Sequence, residues 1–288
     1  MNAQLISPPW LQFKHPIVRE LAFSIASPPL LHSWPNTPDL TEPINLPDAH
    51  FWRMQFEQYL PRLKQLDQNP HPLEQHMLQL RSTRLGIRFE HLLTFWLQDD
   101  SYHPFKLIGQ SVKRMEGQRT VGELDFLIHN QDTGLIEHWE VAIKFYLGEA
   151  GFFAEDWLGL NRRDSLGRKI NHLQQHQFNV NQVNDITINT RRAIIKGRLF
   201  YPPGSLRVPD WVAKQHLHGN WGNNIPSTPS HYIWRRASRP EWIVPQYVER
   251  PAASLTYWTS GLYFLLNFQN QVVTQYMLRI ADKRHKPL

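Results

Sequence analysis

Cysteine is absent from all 288 residues. That removes disulfides, thiolate zinc sites and cysteine nucleophiles together, excludes any disulfide-linked partner, and fits a reducing compartment. Long apolar runs are missing too. The most apolar late stretch, Leu255 to Phe268, contains Thr256 and Asn267 and falls short of the roughly 18 apolar residues that a spanning helix needs. Between Met1 and Pro16 no basic segment precedes an apolar run, and prolines interrupt early, so no signal peptide is read there. A cytoplasmic protein without a membrane partner is expected. The Walker A, GxGxxG, GxSxG and CxxC signatures are likewise missing.

What remains is enough for a folded core. The chain is 41% hydrophobic and 19% charged, so it can bury sufficient apolar area to offset the entropy of ordering. Its net charge of +6 is unevenly spread: residues 1–150 hold 13 basic and 17 acidic groups (−4), residues 151–288 hold 18 and 8 (+10). Carboxylates to hold a cation beside Lys and Arg to meet phosphates would suit a nuclease. A soluble basic protein with solvated faces explains the same numbers, and charge alone does not choose.

The pattern is helical as far as about Gln98. Pro16 opens a helix that stops at Ser27-Pro28-Pro29. After a proline-broken connector, Trp34 to Pro47, Asp48 is the expected N-cap of a helix carrying Phe51, Met54, Phe56 and Leu60, with Pro61 a kink or a boundary. Another helical stretch runs from about Pro72 to Leu97, broken near Ser82-Thr83; its last part places Leu85, Phe89, Leu92, Leu93 and Trp96 on one face, with Glu90 beside them. Glu90 is read either as a solvated flank paired with Arg84 or Arg88, or as a functional carboxylate. Alternation then replaces the helical period: strands are expected over 105–112, 120–128 and 135–146, the last two joined by Asn130-Gln131-Asp132-Thr133-Gly134. Asp164 is the expected cap of a helix with Leu166, Ile170, Leu173 and Gln177 on one stripe, and Ala193 to Tyr201 is a further strand. Beyond Gly204 short aromatic segments (Trp211, Trp221, Tyr232-Ile233-Trp234, Trp242, Tyr247) stand between prolines and glycines, Leu255 to Ile280 returns to an apolar pattern with no element assigned, and the tail Asp282 to Lys286 is read as frayed.

Side chains two apart on a strand share a face, so Glu123 and Asp125 point one way, as do Glu140, Ala142 and Lys144. Pairing the two strands can bring Asp125 close to Glu140. Two like charges at short range raise each other's pKa, and a bound cation compensates them; Mg²⁺ takes one or two protein carboxylates and keeps several waters. A lysine completes a hydrolytic set. Cross-strand ion pairs on an exposed face, with Lys144 balancing Glu140, account for the same residues. His172 and His176 have the i, i+4 spacing of two zinc ligands but lack the glutamate of HExxH, and are read as surface histidines.

Several segments carry a resemblance: His15 through Ala22 with Ser27 to Leu31, Gly122-Glu123-Leu124-Asp125-Phe126, Glu140 through Leu147, and Asp164 through Gln177. They make the chain similar to the PD-(D/E)XK nuclease superfamily, and more closely to a bacterial family of unknown function grouped with it. The resemblance implies an α/β (α+β) restriction-endonuclease-like core of order α-β-β-β-α-β. It implies a metal site of Asp125 and Glu140 supported by Glu90, Lys144 as the lysine, and Mg²⁺ or Mn²⁺ as cofactor. Gln177 resembles the glutamine or lysine that some members aim at the site from the following helix, and Lys169 is the other candidate; a hydrogen-bonded core glutamine is the competing reading of Gln177. One departure stands out. The usual lysine falls two residues after the acid, where this chain has Ala142, so either the lysine has migrated to position 144 or activity is lost.

The expected organisation is a helical N-terminal portion (1–80), a nuclease-like core (81–204) and an irregular, aromatic-rich C-terminal extension (205–288). The expected function is hydrolysis of phosphodiester bonds in DNA or RNA, with Asp125, Glu140 and Lys144 catalytic and Glu90, Glu123, Lys169 and Gln177 supporting. Arg162, Arg163, Arg168, Arg191 and Arg192 would track the phosphate backbone; the late aromatics are read as packing, with base stacking the minority reading. The alternative is an inactive nuclease-like fold that binds nucleic acid or protein.

Overall fold

The computed structural model describes residues 8–35, 44–149, 153–205, 207–245 and 258–280; part of the connector (36–43), Tyr247 and the tail from Asp282 to Lys286 lie outside them. The fold is mixed α/β, with helices and mixed sheet. The chain divides into two compact units. One comprises Met1–Lys144, Lys169–Gly197 and Trp211–His216; the other comprises Phe145–Arg168, Arg198–Asp210 and Leu217–Leu288. Residues 1–80 thus share a unit with the central strands.

In the first unit, α1 (Pro16–Ala26) starts with proline at its first turn and buries every residue from Val18 to Ile25. Two of those are charged, and both are held: Arg19 Nε donates to the Phe13 carbonyl at 2.6 Å, and Glu20 receives Arg88 Nε at 2.6 Å. Burial pushes the Glu20 carboxyl up, against the pull of the Arg88 hydrogen bond and charge. Helix α2 (Ala49–Gln68) is capped by Asp48, which accepts the Phe51 N–H at 2.8 Å. It runs straight through Pro61: Trp52, Phe56, Tyr59, Leu63 and Leu66 form one buried stripe on both sides of the proline. The carbonyl that Pro61 leaves without a donor belongs to Glu57, an exposed residue. Met54, expected inside, faces outward.

Helices α3 (His71–Leu78) and α4 (Leu85–Gln98) are separated at the expected break, and α4 buries Phe89, Leu92, Leu93 and Trp96. The strands β1 (Phe105–Glu116), β2 (Arg119–Asn130) and β3 (Leu135–Gly148) follow, and β4 (Thr190–Tyr201) lies next to β3, giving the order β4-β3-β2-β1. Both pairings among β1, β2 and β3 are antiparallel. Between β3 and β4 comes α5 (Leu166–His172), then one wide turn, Leu173–Gln177, closed by the Phe178 N–H on the Leu173 carbonyl at 2.8 Å. Ser165, not Asp164, supplies the cap, accepting the Arg168 N–H at 3.2 Å; Asp164 accepts from the Tyr146 hydroxyl instead.

Two residues of β4 tie helices to the sheet. Lys196 is fully buried, donates to the Ser24 and Ile25 carbonyls at 2.8 and 2.7 Å, and lies 3.5 Å from the Trp52 ring centroid. It therefore satisfies carbonyls that the last turn of α1 leaves open, while burial pulls its pKa well below the usual lysine range. Next to it Gly197 has φ +123°, and a Cβ there would stand 1.9 Å from the Lys144 carbonyl oxygen.

In the second unit, β5 (His218–Gly222), β6 (Ile233–Arg236), β7 (Gly261–Leu266) and β8 (Val272–Leu278) join the end of β4 in the order β6-β7-β8-β5-β4. The described residues of segment 205–288 are thus not irregular as expected. Its strands are short and interrupted by proline and glycine, so alternation never accumulates, and β7 is nearly continuous apolar sequence. The hairpin between β7 and β8 turns on Asn267, whose side chain accepts the Gln269 and Gln271 N–H groups, both at 2.9 Å. Trp242 is buried; Trp221 and Trp234 donate to the Gly148 and Pro226 carbonyls. These aromatics pack. No helix among the described residues is long and apolar enough to cross a membrane.

Gly197→Ala is expected to destabilise the protein by on the order of 4 kcal/mol, because backbone must move to admit the methyl group. Gly86→Ala, with nothing within 4 Å of the new Cβ, is expected to be neutral or stabilising by up to about 1 kcal/mol. Thermal melting of both variants checks this; equal melting temperatures would contradict the packing at Gly197.

Candidate active site

The β1–β2 ladder is paired from Phe105↔Asn130 to Glu116↔Arg119, but the β2–β3 ladder ends at Phe126↔Trp139. The next opposed residues are Asp125 and Glu140. Here side chains take over from backbone. Asp125 Oδ2 accepts the Val141 N–H at 2.9 Å, and Glu140 Oε1 accepts the Asp125 N–H at 3.3 Å. Each carboxylate is thereby fixed by the opposite strand, and both lie on one face, since directly opposed residues of an antiparallel pair share a face.

Glu140 is 1% exposed. Its Oε1 also receives His138 Nε2 at 2.8 Å, and its Oε2 receives Gln177 Nε2 at 2.7 Å; the same amide reaches the Glu123 carbonyl at 3.2 Å. Gln177 therefore points at the site from the end of the wide turn. That turn carries one more residue than an α-turn, which sets where its last side chain projects.

Crowding shows in the protonation of Asp125. Burial, then the Glu140 charge, pushes its carboxyl up to about 8; the Val141 N–H pulls it down, Glu90 adds to the rise, and Lys169 opposes it. Glu90, half-buried on α4, is raised by burial and by the charges of Glu123 and Glu140, while a hydrogen bond from Gln110 of β1 lowers it. Asp125 thus feels the charges of Glu140 and Glu90, and Glu90 those of Glu123 and Glu140, with Lys169 as the cation acting on Asp125. Lys144 is half-buried, one strand turn beyond Ala142, which is itself 8% exposed at the place where the lysine was looked for.

The other expected residues fall into groups. Arg88 goes to Glu20, so it is not the partner of Glu90. Arg191 is buried and bonded to the Phe178 and Val180 carbonyls, both at 2.7 Å, and to Asn181. Arg192 Nη2 donates to Glu137 Oε1 at 2.9 Å in an ion pair, and its guanidinium stands over the Phe51, Phe105 and Trp139 rings at 5.2, 5.7 and 5.5 Å. Neither is free for phosphates, contrary to expectation: both hold the interior of the first unit. Arg162, Arg163 and Arg168, in the second unit, are exposed, with Arg162 on Glu149 at 2.9 Å and Arg168 on the Arg163 carbonyl. His172 and His176 are exposed, their ring centroids 5.2 Å apart. Among the described residues no group of three or more His, Asp or Glu side chains is arranged to hold a metal ion by itself.

His138 and Gln110 were not anticipated. The only signal for His138 was parity: it stands two residues before Glu140 on the same face. With polar residues at Glu137, His138 and Glu140, alternation could not mark which were buried, and all three are.

A pH dependence follows. Between the ordinary Asp range, near 3.8, and about 8, the folded protein keeps a proton on Asp125 that the unfolded chain has released, so this group's contribution falls as pH rises through that window. Asp125→Asn mimics the protonated acid. In metal-free buffer its melting temperature is expected to gain on the unsubstituted protein by several degrees between pH 5 and pH 9, at roughly 2–4 °C per kcal/mol. Parallel pH profiles would contradict the crowding.

Searches against known proteins add the family. No curated protein and no solved structure matches the chain. A family model matches residues 19–284, most of the chain and all of the residues around Asp125 and Glu140, and the protein belongs to that family, described as Domain of unknown function (DUF1853).

Proposed function

We propose that this protein is a divalent-metal-dependent nuclease that hydrolyses phosphodiester bonds in DNA or RNA, on a PD-(D/E)XK-like core. The observation that carries the reading is the meeting of Asp125 and Glu140 where the β2–β3 ladder stops, with the Asp125 carboxyl pushed up by burial and then by its neighbour's charge. The element order α4-β1-β2-β3-α5-β4 supports the core assignment. The two facing acids offer carboxylate oxygens, which suits a hard cation such as Mg²⁺ or Mn²⁺ that takes one or two protein carboxylates and completes its shell with water. Asp125 and Glu140 would hold it, with Glu90 beside them. A bound cation would polarise the phosphate and acidify a water.

The chain's own residues supply the rest. Gln177 and the backbone N–H groups of Asp125 and Val141 keep both carboxylates oriented. Lys169, whose charge already acts on Asp125, is placed to stabilise negative charge developing on a phosphate, so the role lost at Ala142 passes to the helix after β3 as readily as to Lys144. Arg162, Arg163 and Arg168 are the exposed cations left for the phosphate backbone. The buried Ala142 also favours a second reading, a nuclease-like fold that binds nucleic acid or protein without cutting it.

Purified protein assayed on single- and double-stranded DNA and RNA is expected to cleave with Mg²⁺ or Mn²⁺ and not with EDTA. Asp125→Ala and Glu140→Ala are expected to reduce the rate at least 100-fold, and Lys169→Ala more than Lys144→Ala. Activity surviving both acidic substitutions sinks the site; metal-indifferent nucleic-acid binding without cleavage favours the second reading.

A further inference from the structure

His138 is completely buried, yet its ring has one polar contact only. Nε2 meets Glu140 Oε1 at 2.8 Å, while Nδ1 is buried with no hydrogen-bond partner among the described residues. The ring sits edge-on to Phe178, centroids 5.4 Å apart. A histidine in the interior of a strand normally satisfies both nitrogens or is replaced by an apolar residue, because an orphaned buried polar atom costs roughly 1–3 kcal/mol. Here that cost is tolerated beside Glu140.

Both oxygens of Glu140 accept hydrogen bonds from nitrogen: Oε1 from His138 and the Asp125 N–H, Oε2 from the Gln177 amide. The carboxylate is the acceptor throughout, so the hydrogen in the His138 contact is on the imidazole, at Nε2. The ring is locked in one tautomer and one orientation, and it hands that rigidity to the carboxylate two residues on. We infer that His138 is a positioning residue of the metal site, donating from Nε2 to orient the Glu140 carboxylate for its cation. The inference rests on the reading of Asp125 and Glu140 as metal ligands. No metal bond is assigned to His138, whose Nε2 is engaged by Glu140.

Partners that orient a metal-binding carboxylate cost 10–100-fold in metal affinity when removed. Mn²⁺ binding to the full chain, measured by calorimetry and by electron paramagnetic resonance of free Mn²⁺, tests this with two variants. His138→Phe keeps the bulk and loses the donor; His138→Gln keeps an N–H at similar reach. Affinity is expected to fall 10–100-fold in His138→Phe and to stay within about 3-fold in His138→Gln. Unchanged affinity in His138→Phe, or equal losses in both, overturns the inference, the second outcome meaning that shape and not the hydrogen bond matters. Nitrogen-15 spectra of the unsubstituted protein give a readout that survives a misfolded variant: the proton is expected on Nε2, and a proton on Nδ1 alone overturns the inference. Absence of Mn²⁺ binding by the unsubstituted protein would instead remove the metal reading, and the positioning role with it.

Discussion

Everything at the centre of the first unit depends on where two strands stop being paired through their backbones. From Asn130 to Phe126, β2 and β3 form an ordinary antiparallel ladder. One residue later the N–H of Asp125 and the N–H of Val141 turn to carboxylate oxygens. A backbone carbonyl would satisfy these donors at no charge cost. Using carboxylates instead places two negative groups face to face in a half-dry setting, which no purely structural need requires. The side chains arranged around that point, Gln177, His138 and Lys169, all act on one of the two acids.

That arrangement needs a stiff frame, and the frame is made of charges used as internal struts. Glu20 with Arg88 links α1 to α4, Glu137 with Arg192 links β3 to β4, and Lys196 links β4 to the end of α1. Glu20, Glu137 and Lys196 are buried, so each pairing contributes geometry more than net stability. Arg192 shows how completely such a group can be absorbed: three aromatic rings and a glutamate surround it. A cation in a basic stretch of sequence is a phosphate ligand only if nothing inside the protein claims it first.

The same point governs what could be read from the amino acids. The N-cap at Asp48, the break at Ser82-Thr83 and the three central strands were legible because capping and period are local properties. The pairing of Asp125 with Glu140 was legible from parity and a short turn. Arg191 and Arg192 misled, since burial of a long cationic side chain is decided by residues far away in sequence. Pro61 misled in part: a missing hydrogen bond on the solvent side of α2 is tolerable, and sequence does not say which side faces water. Beyond Gly204 the strands are too short to show a period, and the apolar pattern of Leu255 to Ile280 did not reveal its element, an antiparallel hairpin of Gly261 to Leu266 with Val272 to Leu278 that shifts register at Leu265/Leu266. His138 was invisible for a related reason, being one polar residue among several on a strand buried on both faces.

The wide turn at Leu173–Gln177 gives the site an unusual genetic fragility. Its backbone closes over five residues, one more than an α-turn, and Gln177 takes its direction from that extra residue. Loss of any single codon between Gln174 and His176 would let the helix close normally and swing the glutamine by about 100° around the axis. Such a deletion would leave every carboxylate in place and remove no site residue. The number of residues in this short stretch is therefore as much a part of the site as the acids themselves.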